Sequence, residues 1–192
     1  MLVIKSNKRE HLIMNHTDTG IYYLHEYYPV RKFRYISDEK EELSRRIWAY
    51  KEQTDEKAFS DFTEELMCAI RALTYHSKYE KIGLMAVPPS KVGKHSSIRD
   101  SIKLIYQWGS AGTAKSVYGC NKVIYDYSEL LQRVSDISTA HKGKGATYDE
   151  QRESINCIRD RLSRYRTAFV ILDDVTTTGT SMNVCRDRKS VV

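Results

Sequence analysis

The 192-residue chain is predicted to be an α/β protein with a largely parallel sheet flanked by helices. Two short apolar runs, "KIGLMAV" at 81–87 and "AFVIL" at 168–172, have the length and composition of buried strands. The first run stops at a proline pair and the second at an aspartate pair. Segments with apolar residues at helical spacing lie between the two runs, and such alternation is typical of a parallel sheet.

The first part of the chain, residues 1–75, is predicted to form an extension followed by two helices. Residues 1–35 include aromatic clusters such as "IYYLHEYYPV", which indicate extended or hairpin structure. One helix is predicted from Asp38 and a second from near Ser60, a residue type that caps helices well. The apolar stripes are Leu43, Ile47 and Tyr50 in the first helix, and Phe62, Leu66, Ile70 and Leu73 in the second.

Residues 76–192 are predicted to form the core that carries the sheet. Because proline cannot continue a central strand, the strand at 81–87 ends at Pro88 and a loop begins there. A third helix follows, and its stripe is Ile98, Ile102 and Ile105. A further short strand is predicted at Val123–Tyr125. Strand, loop and helix in this order are the first half of a βαβ unit.

The last third of the chain is predicted to hold a loop, a helix and a strand. "STAHKGKGATYDE" is polar and interrupted by glycines, as loops are. Thr147 and Glu150 have capping-box spacing, so a helix is expected after them, with Ile155, Ile158 and Leu162 as its stripe. The run at 168–172 is apolar on both faces, which favours a buried central strand over an edge strand.

Composition narrows the class of protein. The chain is 41% hydrophobic and 29% charged, and no apolar run approaches a membrane span. With no signal-peptide pattern at the N-terminus, a cytoplasmic protein is expected. The four cysteines lack C-x-x-C spacing, so buried thiols are expected rather than a zinc site or disulfides. A formal charge of +6 is spread along the chain, which favours a polyanionic small molecule and leaves nucleic acid open as a partner.

The segment "VILDDVTTTGTSM" at 170–182 is the strongest candidate for a binding site. Asp173 and Asp174 come at the end of the apolar run, and six small residues follow shortly after: Thr176, Thr177, Thr178, Gly179, Thr180 and Ser181. Hydroxyls and backbone N–H groups at the start of a helix form a cup for phosphate, and glycine lets the backbone approach the anion closely. The aspartates would accept hydrogen bonds from sugar hydroxyls or help to hold a divalent cation.

A phosphorylated sugar with free vicinal hydroxyls matches both halves of this segment. Neither the dinucleotide-binding pattern G-x-G-x-x-G nor the Walker A pattern occurs in it. The structural alternative is a buried strand whose aspartates cap the next helix and whose threonines only form a turn.

The segment resembles the binding motif of the type I phosphoribosyltransferases, which use 5-phosphoribosyl 1-pyrophosphate (PRPP). The match runs from Val170 to Thr180. The resemblance implies that Asp173 and Asp174 bind the ribose hydroxyls and a Mg²⁺ ion, and that residues 176–180 surround the 5′-phosphate. It also implies that 1–75 provides a hood and 76–192 the PRPP-binding core of a single domain.

Two further segments acquire roles through this resemblance. "VPPSK" at 87–91 occupies the place of a pyrophosphate-binding loop, in which Ser90 would offer a hydroxyl and Lys91 a positive charge to the departing pyrophosphate. "HKGKG" at 141–145 would close over the site and supply charge through His141, Lys142 and Lys144. Lys91, His141 and Lys142 are therefore the expected catalytic residues. The alternative for 141–145 is a solvated surface loop.

The order of the motifs along the chain is similar to that of the ComF-type, competence-associated branch of these proteins. The cysteine-rich zinc segment found in many ComF-type proteins is not present, which leaves a role in DNA uptake in doubt. After the PRPP motif the family has a full helix and at least one more strand. The last strand is therefore expected to be reduced to residues 190–192, or the chain to be truncated relative to the family. The expected consequence is reduced stability, or a partner chain that covers the gap.

The expected function is Mg²⁺-dependent transfer of the phosphoribosyl group from PRPP to a nitrogenous acceptor, with release of pyrophosphate. The alternative is a non-catalytic protein that binds PRPP or a nucleotide and acts in regulation or DNA handling. The acceptor is not identified by the sequence, and a homodimer is left open.

Overall fold

The computed structural model describes residues 4–5, 13–16, 22–110, 122–137, 146–158, 167–174 and 180–190. The chain divides into two compact units, Met1–His76 and Ser77–Val192, and each is described by itself. No helix among the described residues is both long and apolar enough to cross a membrane.

The first unit contains a small sheet and two helices. Strands β1 (Ile4–Lys5), β2 (Ile13–His16) and β3 (Tyr22–Tyr23) pair antiparallel in the order β1-β2-β3. A 3-10 helix (Val30–Tyr35) precedes α1 (Asp38–Glu52) and α2 (Glu56–Thr74). The predicted extended structure is confirmed for β1, β2 and β3 but is wrong for residues 30–35, which form the 3-10 helix, and both predicted helices are confirmed.

Helices α1 and α2 pack through the stripes that the sequence indicates. Ile47, Tyr50, Phe62 and Leu66 are buried, and the Tyr50 and Phe62 ring centroids lie 5.5 Å apart. The predicted start of α2 at Ser60 is wrong, because the helix begins one turn earlier. The Asp55 carboxylate accepts hydrogen bonds from the backbone N–H groups of Lys57 and Ala58, at 2.8 and 3.2 Å, and so satisfies two donors of the first turn.

The second unit contains the larger set of elements. They are β4 (Lys81–Ala86), α3 (Ser97–Ser110), β5 (Val123–Asp126), β6 (Leu131–Arg133), α4 (Tyr148–Glu153), β7 (Ile155–Cys157), β8 (Thr167–Leu172) and α5 (Thr180–Ser190). Strands β5, β4 and β8 form a parallel sheet in that order, and β6 and β7 form a separate antiparallel pair. The α/β class with a parallel sheet and flanking helices is confirmed.

The central strand of the described sheet is β4 rather than β8. Residues 82–86 are buried, whereas five of the six residues of β8 are only partly buried. Among the described residues β8 pairs with β4 alone, so it lies at the edge of the described sheet and not at the centre, the position expected from the sequence. A run that is apolar on both faces shows that a strand is covered by side chains, but it does not show how many strands pair with it.

The predicted helix with Ile155 and Ile158 in its stripe is also wrong. The capping box is present, since Thr147 and Glu150 each bond to the other's backbone N–H, but α4 ends at Glu153. Ile155 instead pairs with Arg133 in the β6-β7 ladder, and the Ile158 N–H donates to the Leu130 carbonyl at 2.9 Å. Pairing with a distant strand has therefore overridden a local helical spacing. Leu162 lies outside the described residues.

One apolar cluster connects the elements around β4 and α5. Its buried members are Met85, Val87, Leu130, Leu131, Ile155, Val184 and Cys185. The expectation that the cysteines are buried holds for Cys185 but not for Cys68, which is exposed; Cys157 is partly buried. Cys120 lies outside the described residues.

Candidate functional site

The carboxyl ends of β4 and β8 lie side by side and form the floor of the candidate site. The last residues of the two strands, Ala86 and Leu172, are in register. The Val87 N–H then donates a hydrogen bond to the Leu172 carbonyl at 2.8 Å. Residues 88–91 and Asp173–Asp174 therefore leave the sheet from adjacent positions.

The strand order places this edge where ligands bind in many α/β proteins. The chain passes from β4 to β5 on one side and then returns to β8 on the other side of β4. Along the chain, the segment that follows β4 leads through α3 to β5, and the segment that follows β8 leads to α5. The crevice between two such segments, outside the carboxyl ends of the strands, is the usual ligand position in open parallel sheets.

Asp173 and Asp174 form the acidic side of this crevice, and both are partly buried. The Asp173 carboxylate accepts a hydrogen bond from the Asp174 N–H at 3.0 Å, which holds Asp173 close to the backbone. Asp173 also acts electrostatically on two buried groups, since it raises the pKa of both Arg133 and Cys185.

The segment after β4 forms the other side of the crevice and is fixed by residues that follow β6. The Ile137 N–H donates to the Ser90 carbonyl at 2.9 Å. The Val92 N–H donates to the Asp136 carboxylate at 2.8 Å. Ser90 is partly buried and Lys91 is exposed, so the structure brings the predicted hydroxyl and ammonium to the same sheet edge as the aspartates.

Arg133 is a site component that the sequence reasoning did not identify. It is 7% exposed, and all three guanidinium nitrogens donate hydrogen bonds. Nε bonds to the Pro89 carbonyl at 2.9 Å, Nη2 to the Pro88 carbonyl at 3.2 Å and Nη1 to the Ser154 hydroxyl at 2.5 Å. Burial lowers the pKa of Arg133, while Cys185 and Asp173 raise it. The interior of the site thus contains a guanidinium held against the start of the 88–91 loop.

A chain of hydrogen bonds continues from Arg133 to the helix that follows the threonine-rich segment. The Ser154 hydroxyl donates to the Gln151 carbonyl at 2.8 Å. The Ser181 hydroxyl donates to Gln151 Oε1 at 2.6 Å, and Ser181 lies in the first turn of α5. Arg133 of β6, Gln151 of α4 and Ser154, which directly follows α4, therefore link the loop after β4 to α5.

The end of β5 adds a third segment to the same edge. A cavity of about 190 Å³ is lined by Asp126, Tyr127, Glu129 and Leu130. Arg99 of α3 contacts this segment. Its Nη1 lies 3.3 Å from the Glu129 carboxylate, and its Nη2 donates a hydrogen bond to the Leu131 carbonyl at 3.0 Å.

Several predicted site residues lie outside the described residues. They are Thr176, Thr177, Thr178 and Gly179 of the proposed phosphate cup, and His141, Lys142 and Lys144 of the "HKGKG" segment. Thr180 is described and is the first residue of α5.

Two adjacent carboxylates are the described groups of the candidate site that could help to hold a magnesium ion. No group of three or more His, Cys, Asp or Glu side chains suited to a metal occurs within the described part of the chain. Asp173 and Asp174 are adjacent carboxylates at the crevice, and Mg²⁺ is commonly held by one or two carboxylates together with substrate phosphates and water.

No protein-family model, curated protein sequence or solved structure matches this chain.

Proposed function

We propose that the chain is a Mg²⁺-dependent phosphoribosyltransferase that transfers phosphoribose from PRPP to a nitrogenous acceptor and releases pyrophosphate. The observation that carries the proposal is the hydrogen bond from Val87 to Leu172. It makes neighbours of two segments that the sequence separates by more than eighty residues, the aspartate pair and the Ser90–Lys91 loop.

The crevice has the polarity that PRPP requires. Carboxylates on the β8 side accept hydrogen bonds from the vicinal ribose hydroxyls, and the first turn of α5 directs N–H groups at the 5′-phosphate. The ammonium of Lys91 on the β4 side meets the pyrophosphate. Its exposure allows it to approach an anion that arrives from solvent.

The reaction breaks the bond between the ribose C1′ and a pyrophosphate oxygen and forms a bond between C1′ and the acceptor nitrogen. The bonding electrons leave with pyrophosphate, and the acceptor nitrogen loses its proton to solvent. Mg²⁺, when bound with PRPP, neutralises part of the pyrophosphate charge. The residues of this chain orient the ribose and stabilise the negative charge that develops on the leaving group.

The first test is ligand binding by the full-length chain. Calorimetry with PRPP and Mg²⁺ is expected to show saturable binding that Asp174→Asn weakens about 10- to 100-fold, because hydrogen bonds to a charged acceptor are worth about 1.5–3 kcal/mol. Asp38→Asn, the same change at an exposed position in the first turn of α1, is the matched control and should bind as the wild type does. Absence of PRPP binding by the wild type would refute the proposal.

The second test separates catalysis from binding alone. Pyrophosphate release is measured with PRPP, Mg²⁺ and a panel of purine bases, pyrimidine bases and ammonia. Release with at least one acceptor supports the enzyme. PRPP binding without pyrophosphate release for any acceptor would support the alternative of a non-catalytic binding protein. Salt-dependent binding of DNA that Asp174→Asn leaves unchanged would place nucleic acid outside this crevice.

A further inference from the structure

We propose that Arg133 is a positioning residue that holds the Pro88–Lys91 loop in the conformation that binds the pyrophosphate end of PRPP. This inference rests on the proposed function and extends it to a residue outside the PRPP motif. The role assigned to Arg133 is indirect, because each of its three guanidinium nitrogens donates a hydrogen bond to a protein oxygen.

The loop needs a partner for its carbonyl groups. Two consecutive prolines end the strand. Because a proline nitrogen has no hydrogen to donate, these residues cannot continue the ladder of hydrogen bonds with a neighbouring strand. Arg133 bonds to the carbonyls of both prolines, through Nη2 and Nε. A planar guanidinium that binds two successive carbonyls fixes the direction of the peptide between them, which a lysine ammonium does not.

The position of Arg133 is itself fixed through both its backbone and its side chain. Its backbone belongs to β6, where it pairs with Ile155 of β7. Its Nη1 donates to Ser154, which is buried and in turn donates to the Gln151 carbonyl. Side chains that are held in this way transmit the geometry of one element to another because they have little freedom to adjust.

The same network reaches the other half of the crevice. Gln151 accepts from Ser181 in the first turn of α5, and Asp173 lies close enough to raise the pKa of Arg133. The backbone of the aspartates continues directly from β8, which pairs with β4, whereas the carbonyls of Pro88 and Pro89 bond to the guanidinium itself. Loss of the guanidinium should therefore disturb the β4 side of the crevice more than the β8 side.

This asymmetry gives a measurement that distinguishes positioning from general support of the fold. PRPP and inorganic pyrophosphate use the 88–91 loop, whereas ribose 5-phosphate uses only the aspartates and the phosphate cup. A residue that merely stabilises the unit would change the affinity for all three ligands together.

The experiment measures dissociation constants of the full-length chain for PRPP, pyrophosphate and ribose 5-phosphate, each with Mg²⁺. Arg133→Lys is expected to weaken the binding of PRPP and of pyrophosphate about 10-fold or more, because small displacements of a binding group are costly. The same variant should weaken the binding of ribose 5-phosphate less than about 3-fold. Ser154→Ala, which removes one contact of the guanidinium, should give a smaller loss with the same ligand preference. Arg46→Lys in the first unit, where the arginine bonds to Asp61 at 2.8 Å, is the matched control and should change none of the three.

Circular dichroism and thermal unfolding confirm that each variant is folded, and Ser154→Ala provides the test if Arg133→Lys does not fold. Equal losses for all three ligands, or no loss for pyrophosphate, would overturn the inference while the proposed function stands. Wild-type protein that binds none of the three ligands would overturn the proposed function, and the inference with it.

Discussion

Gly83 offers a direct test of the sheet on which the site is built. It pairs with Tyr125 of β5 and Phe169 of β8, so its position depends on both neighbours of β4. A Cβ atom at Gly83 would lie 2.8 Å from two ring carbons of Phe169 and 2.8 Å from a ring carbon of Tyr127. Carbon atoms prefer about 3.5–4.0 Å, so each ring would have to withdraw by about 0.7 Å or more.

Gly83→Ala is therefore expected to destabilise the second unit by about 1–3 kcal/mol, the usual cost of overpacking. The rings of Tyr127 and Phe169 contact each other, with centroids 5.4 Å apart, so neither can move without disturbing the other. For a chain of this length, this loss of stability corresponds to a thermal unfolding midpoint about 2–12 °C lower.

The two tryptophans allow this unit to be observed separately, because Trp48 lies in the first unit and Trp108 in the second. Urea unfolding is followed by the fluorescence of Trp108 in a Trp48→Phe background. The Gly83→Ala, Phe169→Leu double variant should be less destabilised than the sum of the single variants, since removal of the ring makes room for the new methyl group. An unchanged midpoint for Gly83→Ala, or strict additivity in the double variant, would refute the predicted steric clash.

Three further predictions concern single elements. Asp55→Ala should cost about 1 kcal/mol in urea unfolding, because it removes the α2 cap, whereas Ser60→Ala inside the helix should cost much less. A thiol reagent followed by peptide mass spectrometry should label exposed Cys68 in the native protein and buried Cys185 only after unfolding. Burial, and then Asp173, raise the pKa of Cys185 from 9.0 to about 12, so the unfolded chain loses this proton first as pH rises. Stability should therefore fall between about pH 9 and 12, and fall less steeply in Cys185→Ala.

The parallel sheet could be predicted from the sequence because its signals are local. The strand at 81–87 and the strand at 168–172 are both short apolar runs, and each ends at residues that break the pattern. Parallel pairing of two such strands brings their carboxyl ends to one edge as a geometric consequence. The proximity of Asp173 to the 88–91 loop thus required only that these two strands be neighbours.

The conformation of residues 155–158 and the role of Arg133 depend on contacts with residues that are distant in the sequence. Ile155 and Ile158 have helical spacing, yet their backbone bonds to residues 130–133 decide their conformation. Arg133 did carry one local signal, since it lies two residues after Leu131, on the same face of a strand. Recognising that signal requires knowledge that β6 exists, and a three-residue strand is too short to be predicted from alternation alone.

The positive charges at this edge fall into two kinds, and the difference has a measurable consequence. Arg133 is buried and each of its three guanidinium nitrogens donates to a protein oxygen, while Lys91 is exposed. An exposed ammonium attracts an anionic ligand through solvent, where salt screens the attraction over about 8–10 Å. A buried guanidinium acts through the shape of the loop, which salt does not alter. Lys91→Gln should therefore weaken pyrophosphate binding and also make it less sensitive to salt, whereas Arg133→Lys should weaken it equally at low and high salt. If both variants reduced the salt dependence of binding alike, Arg133 would have to contact the ligand directly. The assignment of a positioning role to Arg133 and of a contact role to Lys91 would then be wrong.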